Sequence, residues 1–290
     1  MTVLGAVSLP QLPPEQLRDL ARLADDVGLE ELWLWEDCFW TSGVASAAAV
    51  LASTARVRVG VGLLPVPLRN VAVTAMELAT LYRLFGDRVD VGVGHGVQDW
   101  MAQVGARVDS PLTLLAEHLT ALRALLRGEQ VTVAGRYVQL DAVALDWPPV
   151  TAPTVYAGAT GPRSLRLAGE VADGTILTAS TSPDGVREAR RLLDQGREAA
   201  ARTERHPVVV YLLAATGPGA VERVAAEQRS HPGGPVPDTG VAGDADTVAE
   251  AVRRWAEAGA DTVVLQPTVD DPDPAGFVRF VAEQVRPLVG

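Results

Sequence analysis

Short runs of β-branched and other apolar residues alternate along the chain with longer stretches in which apolar positions recur every three or four residues. The short runs predict eight strands: Val3–Ser8, Glu31–Trp35, Val57–Leu64, Val89–Gly94, Thr154–Ala157, Gly174–Leu177, Pro207–Ala215 and Thr262–Gln266. The helical stretches between them include Pro14–Val27, which opens on a proline and stops at Gly28, and Val71–Leu84. Strands separated by helical crossovers must run parallel, and eight in one chain favour a closed (β/α)8 barrel over an open doubly wound sheet, because closure removes both exposed edges. The whole of 1–290 then reads as a single α/β domain of TIM-barrel type. Two segments depart from a minimal barrel. Val131–Val133 and Tyr137–Leu140 predict a small hairpin inserted after the fourth helix, and Ser230–Gly243, with four glycines and three prolines, reads as a mobile loop.

Composition narrows the partners. The 290 residues carry 25 Lys+Arg against 36 Asp+Glu, a net charge of −11, and every one of the 25 is arginine. That balance argues against nucleic acid. Cys38 is the sole cysteine, so no internal disulfide or cysteine-based zinc cluster is available, and no metal-binding spacing of histidines and acids appears. No basic leader and no apolar stretch of membrane-spanning length is found, which predicts a cytoplasmic protein with no membrane partner.

In a parallel barrel the chemistry sits on the segments that follow the C-terminal ends of the strands. After the second candidate strand come Glu36 and Asp37, adjacent carboxylates beside Phe39 and Trp40. Paired acids in an apolar cleft suit proton transfer, whereas in the simpler alternative one of them caps free backbone amides. The third strand carries Gly60 and Gly62 on one face and the fourth Gly92 and Gly94, followed by His95. Two strands bare on the same side suggest a flat ligand across the barrel mouth, or else close packing where the barrel tapers. Val97, Gln98, Asp99, Trp100 and Met101 follow as a polar and aromatic loop, and Trp40 and Trp100 are candidate water-excluding walls or core residues. His118 and His206 read as structural. After the fifth strand, Gly158, Thr160, Gly161, Pro162 and Arg163 run into a helix start, where free N–H groups and a cation suit a phosphate. Thr178, Ser180 and Ser182 add hydroxyls after the sixth, and ordinary helix capping is the competing explanation. No nucleophile elbow, Walker A or dinucleotide fingerprint is present.

These stretches carry a resemblance. Leu23–Gly28, Leu32-Trp33, Thr54–Gly60, Arg69–Val73, Arg88–Gly94 and Ala168–Gly174 are similar to segments of the bacterial luciferase-like flavin-dependent oxidoreductases, in particular the branch that uses the deazaflavin coenzyme F420. The resemblance implies a (β/α)8 barrel and hydride transfer between F420 and a small organic substrate. It also implies a non-prolyl cis peptide at Gly62-Leu63, forming a bulge that supports the ring, and a homodimer. On this chain it implies Gly62, Leu63, Gly94, Gln98, Gly158, Thr160, Gly161, Pro162, Arg163 and Thr178 at the cofactor and Glu36, Asp37 and His95 in catalysis. Sugar phosphate dehydrogenases of the family carry Asp-His where this chain has Glu36-Asp37, and a glutamate about where Val97 stands, so that activity is disfavoured. An FMN-dependent monooxygenase is the alternative, and a non-catalytic cofactor-binding barrel a third.

Overall fold

Strand β1 (Val3–Ser8) lies between β2 (Glu31–Leu34) and β11 (Thr262–Pro267), and from there the sheet closes on itself. The computed structural model describes residues 2–230 and 234–290. Around the ring the order is β1, β2, β3 (Arg58–Pro65), β4 (Val89–Gly94), β7 (Val155–Gly158), β8 (Gly174–Leu177), β9 (Val208–Ala215) and β11, every pairing parallel. The contact of Ile176 with Val209 completes the ring between β8 and β9. The eight strands of this TIM barrel are the eight expected, with ends shifted by at most one residue.

The helices begin and end for local reasons. Helix α1 (Pro14–Asp26) has proline at its first position and is followed by Gly28 at φ +76, a left-handed conformation glycine adopts without a Cβ clash. Helix α3 (Val71–Phe85) starts at Asn70, whose side-chain oxygen accepts the Ala72 N–H at 2.9 Å. Helix α2 (Gly43–Ser53), helix α5 (Pro111–Leu126), α6 (Pro162–Val171), α7 (Pro183–Ala199) and α9 (Ala245–Glu257) turn apolar faces onto the barrel.

Four features differ from the sequence reading. The segment after β4 is not a loop, because Gln98–Gln103 forms a short helix, α4. The hairpin, β5 (Val131–Ala134) and β6 (Gln139–Val143), therefore follows the second helix of that connection, α5. It is pinned there by Glu117, whose carboxylate accepts the backbone N–H groups of Arg136, Tyr137 and Val138 at 2.8–2.9 Å. Third, the segment read as a loop contains a short strand, β10 (Gly240–Ala242). It pairs in parallel with the upper half of β9, beyond the end of β8, and follows helix α8 (Ala220–Ser230). His231 and its two successors in that loop lie outside the described residues. Fourth, the chain ends in three consecutive helical pieces, α10 (Pro274–Arg279), a π-helical turn Phe280–Val285 and α11 (Arg286–Val289).

The Gly62-Leu63 peptide is cis where the resemblance placed it, and the pairing of β3 with β4 jumps there from Val61–Val91 to Leu64–Val93. Cys38-Phe39 is a second cis bond. Among the described residues no helix is long and apolar enough to cross a membrane.

Candidate active site at the barrel mouth

Side chains of a strand alternate between its two faces, and β2 shows what that does here. Leu32 and Leu34 join the apolar layer between strands and helices, whereas Trp33 belongs to a separate cluster with Val7, Tyr156, Ile176, Val209, Tyr211 and Val264 that fills the barrel interior. Beneath that cluster, at the N-terminal end, Glu31 accepts the Trp33 indole N–H at 2.8 Å, and Arg58 pairs with Asp90 at 2.6 Å. Above it, Trp35 packs edge-on to Tyr211 with ring centroids 5.5 Å apart.

This filling settles what the strand glycines do. A Cβ on Gly60 would lie 2.2 Å from the Trp33 ring, one on Gly92 would lie 2.4 Å from Ile176, and one on Gly94 would lie 2.6 Å from Leu63. On Gly158 it would meet Leu63 at 2.1 Å. The bare faces of β3 and β4 are thus occupied by the protein's own side chains, and the close-packing explanation replaces that of a ligand resting directly on them. What those side chains support is a cavity of about 530 Å³ over the C-terminal ends of the strands. That volume is of the size that accepts a cofactor and a small substrate.

Of the residues singled out in the sequence, Glu36, Asp37, Gly62, Leu63, His95, Gly158, Thr160 and Thr178 border this cavity. Gly94, Gln98, Gly161, Pro162 and Arg163 do not. Gly94 is covered by Leu63, and Gln98 turns its amide back to the carbonyls of His95 and Gly96 at 3.1 and 3.4 Å. Gly161, Pro162 and Arg163 form the start of α6, whose N-cap has no side-chain hydrogen bond. Of the two tryptophans, Trp100 borders the cavity and Trp40 is 59% exposed outside it.

The adjacent acids have different environments. Glu36 accepts the N–H of Gly43 at 2.7 Å and is held by Arg69, whose other terminal nitrogen binds Glu77 at 2.6 Å. It thus does what the capping alternative described. Asp37 has no ion pair or hydrogen bond to its carboxyl among the described residues, and burial alone pushes its pKa above the usual carboxylate value. His95 shares a hydrogen bond between Nε2 and Ser164 Oγ at 3.1 Å, while its Nδ1 is buried without a partner. Burial lowers its pKa, which favours the neutral imidazole. The indole N–H of Trp35 is likewise buried without a partner. Both atoms are closed off from the cavity by the protein, so the polar groups open to it are the Asp37 carboxyl and the hydroxyls of Thr160, Thr178 and Ser180.

His118 and His206 are structural. Both are buried with pKa values pushed down to about 4, and His206 bonds Thr175 at 2.9 Å. Sequence reasoning missed Trp35, Tyr211, Glu227, Gln228, Thr239 and Gln266, which also border the cavity. The strand-end rule, carried through to the last strand, would have found Gln266. Nothing in the chain signals Glu227, which stands in a surface helix of ordinary pattern. Among the described residues no group of three or more His, Cys, Asp or Glu is placed to hold a metal ion.

The sequence model of the luciferase-like monooxygenase family matches residues 2–231. The 5,10-methylenetetrahydromethanopterin reductase of Methanolobus tindarius is 33% identical over 181 residues, 62% of this chain and 55% of that protein. The F420-dependent glucose-6-phosphate dehydrogenase of Beutenbergia cavernae is 35% identical over 211 residues, 68% and 62% respectively. The chain thus spans a little over half the length of these relatives. In fold, the solved structure of the coenzyme F420 dependent tetrahydromethanopterin reductase from Methanopyrus kandleri superimposes with a TM-score of 0.87 at 22% identity, over 100% of this chain and 99% of that one. With the family model covering most of its length and the barrel matching throughout, this chain belongs to the luciferase-like monooxygenase family.

Proposed function

We propose that the protein is an F420-dependent oxidoreductase that transfers hydride to or from a small organic substrate at the barrel mouth, within one barrel domain. The observation that carries this reading is the cavity itself. It lies over the β3 bulge, is bordered by one unpaired acid, Asp37, and among the described residues its lining holds no nucleophile with an activating base. Hydride transfer between bound partners asks the protein for placement, desolvation and a proton site, and for no covalent intermediate on the chain. Both relatives and the superimposed structure carry names of reductases or dehydrogenases, two of them with F420 in the name.

When bound, F420 supplies a two-electron hydride carrier. Gly62, Leu63, Gly158, Trp35 and His95, which border the cavity, would hold its ring. The free N–H groups of the α6 start, with Thr160, Gly161, Pro162, Arg163 and Thr178, would take its phosphate. Gly94 acts through Leu63, and Gln98 through the His95 turn. Asp37 holds or receives the proton that accompanies hydride transfer, its carboxyl kept easier to protonate by burial. Glu36, locked by Arg69 and Gly43, positions the loop that carries Asp37. Trp100 excludes water from one side. We place the enzyme in the cytoplasm, as a homodimer. The exposed apolar residues Leu68, Val73 and Met76 on and before α3, with Phe39 and Trp40, support self-association.

Fluorescence titration of the purified protein with F420 and with FMN tests the reading. Micromolar F420 binding with little response to FMN is expected. Preference for FMN overturns it in favour of a flavin monooxygenase, and binding of neither overturns both. With F420 binding retained within about twofold, Asp37→Asn is expected to lower kcat about 10²–10⁴-fold, the range of a lost proton-transfer group.

A further inference from the structure

Strands β9 and β11 stand across the ring from β3 and β4, so the cavity lies between the β3 bulge and a second wall that the proton chemistry does not use. That wall is polar. Gln266, at the end of β11 and 9% exposed, donates its Nε2 to Glu227 Oε1 at 3.1 Å, and the Val269 N–H donates to Glu227 Oε2 at 2.7 Å. A carboxylate only accepts, so the amide nitrogen of Gln266 must face Glu227, and its carbonyl oxygen and second N–H are left over. The same logic holds beside it. The Thr239 hydroxyl donates to Val236 O at 2.7 Å and accepts from Gln228 Nε2 at 3.3 Å, which leaves the Gln228 carbonyl oxygen and its second N–H over. Glu227, Gln228, Thr239 and Gln266 all border the cavity.

The wall therefore offers two uncharged amides and a carboxylate, and no cation. No arginine borders the cavity among the described residues, although the chain has 25 basic residues, all arginine. The one acid there with a cationic partner is Glu36, which faces Arg69. Asp37 and Glu227 bring negative charge with no cation opposite. An anionic substrate would lose its hydration and find repulsion, whereas hydroxyl, amino or protonated amine groups would find acceptors already oriented.

We propose that Glu227, Gln266 and Gln228 form the specificity wall of this site, and that it selects a neutral or cationic polar substrate against anionic ones such as phosphate esters. The inference rests on the F420 reading above. It gives the missing phosphate partner, not only the altered residues after β2 and β4, as a reason that a sugar phosphate is a poor substrate.

The test uses F420-loaded protein and three probes that share one ring: glucosamine, glucose and glucose 6-phosphate. Binding is followed by ligand-observed saturation transfer in wild type, Glu227→Gln and Gln266→Leu. The first variant keeps an acceptor for the Val269 N–H and the second removes only the amide. Both variants are expected to hold F420 within about twofold of wild type, since the wall lies across the barrel from β3. Wild type is expected to hold glucosamine and glucose at least about tenfold more tightly than the phosphate ester, the scale of one charged hydrogen bond. Glu227→Gln should then erase about tenfold of the advantage of glucosamine over glucose, and Gln266→Leu should weaken both. Glucose 6-phosphate binding as tightly as glucose, an unchanged order in both variants, or no binding of any probe by the F420-loaded wild type overturns the proposal. Failure of wild type to bind F420 overturns the functional reading instead, so the two failures are distinguishable.

Discussion

Two neighbouring carboxylates in the segment after β2 end in opposite roles because their partners differ. Both border the cavity, but Glu36 is consumed by Arg69 and Gly43, whereas Asp37 keeps a free carboxyl. A third acid, Glu31 on β2, is buried at the opposite end of the barrel. Desolvation and nearby Asp90, set against the Trp33 hydrogen bond and Arg58, raise its pKa to about 7 from 4.5. The folded state thus holds this proton more tightly than the unfolded chain does. Its contribution to stability is fully present below about pH 4.5 and is lost as pH rises through about 7. Chemical denaturation of wild type and Glu31→Gln at pH 5 and pH 8 should show it. The loss of stability between those two pH values should be smaller in the variant by about 2–3 kcal/mol, most of the free-energy equivalent of that shift. Equal pH dependence in the two proteins would refute the assignment.

At the scale of elements, α6 and α7 approach so closely that each gives up a side chain. A Cβ on Gly169 would lie 2.2 Å from the Leu193 carbonyl oxygen, and one on Gly196 would lie 2.0 Å from the Arg166 carbonyl oxygen. Backbone cannot yield as a flexible side chain does. In an exposed helix, glycine to alanine stabilises by about 1 kcal/mol. Here the sign should reverse, with Gly196→Ala destabilising by about 1–3 kcal/mol as the helices are forced apart. A thermal melt of the variant decides it, and an unchanged or raised Tm would show that the packing can relax. Because the α6 start is the proposed phosphate site, spreading the pair should weaken F420 binding as well.

For the whole molecule, the site is a rim to which strands from all sides of the barrel and the segments after them contribute, so a ligand filling it ties the barrel together. A ligand that binds only the folded state at 100 times its Kd adds about 2.7 kcal/mol. For a chain of this size that corresponds to a rise in Tm of about 4–5 °C. F420 at such an excess should raise the Tm by that amount, and FMN at the same concentration should leave it nearly unchanged. A larger shift with FMN would reverse the cofactor assignment.

The sequence by itself determined the eight strands, their parallel order and the barrel class, because strand and helix periods are local properties written in neighbouring residues. It also marked the segments after β2, β4, β7 and β8 as the place of chemistry, and through the resemblance the bond at Gly62-Leu63. Only the tertiary structure decided which side chains fill the faces of Gly60, Gly92 and Gly94, since Trp33, Ile176 and Leu63 arrive from other strands or from beyond the bulge. It decided that Gln98 and Gly94 stand behind the cavity lining, and that Glu227 and Gln266, 39 residues apart, share a hydrogen bond at its edge. Contacts of that kind depend on how the ring closes and on which way each segment leaves it, and no window of neighbouring residues contains that information.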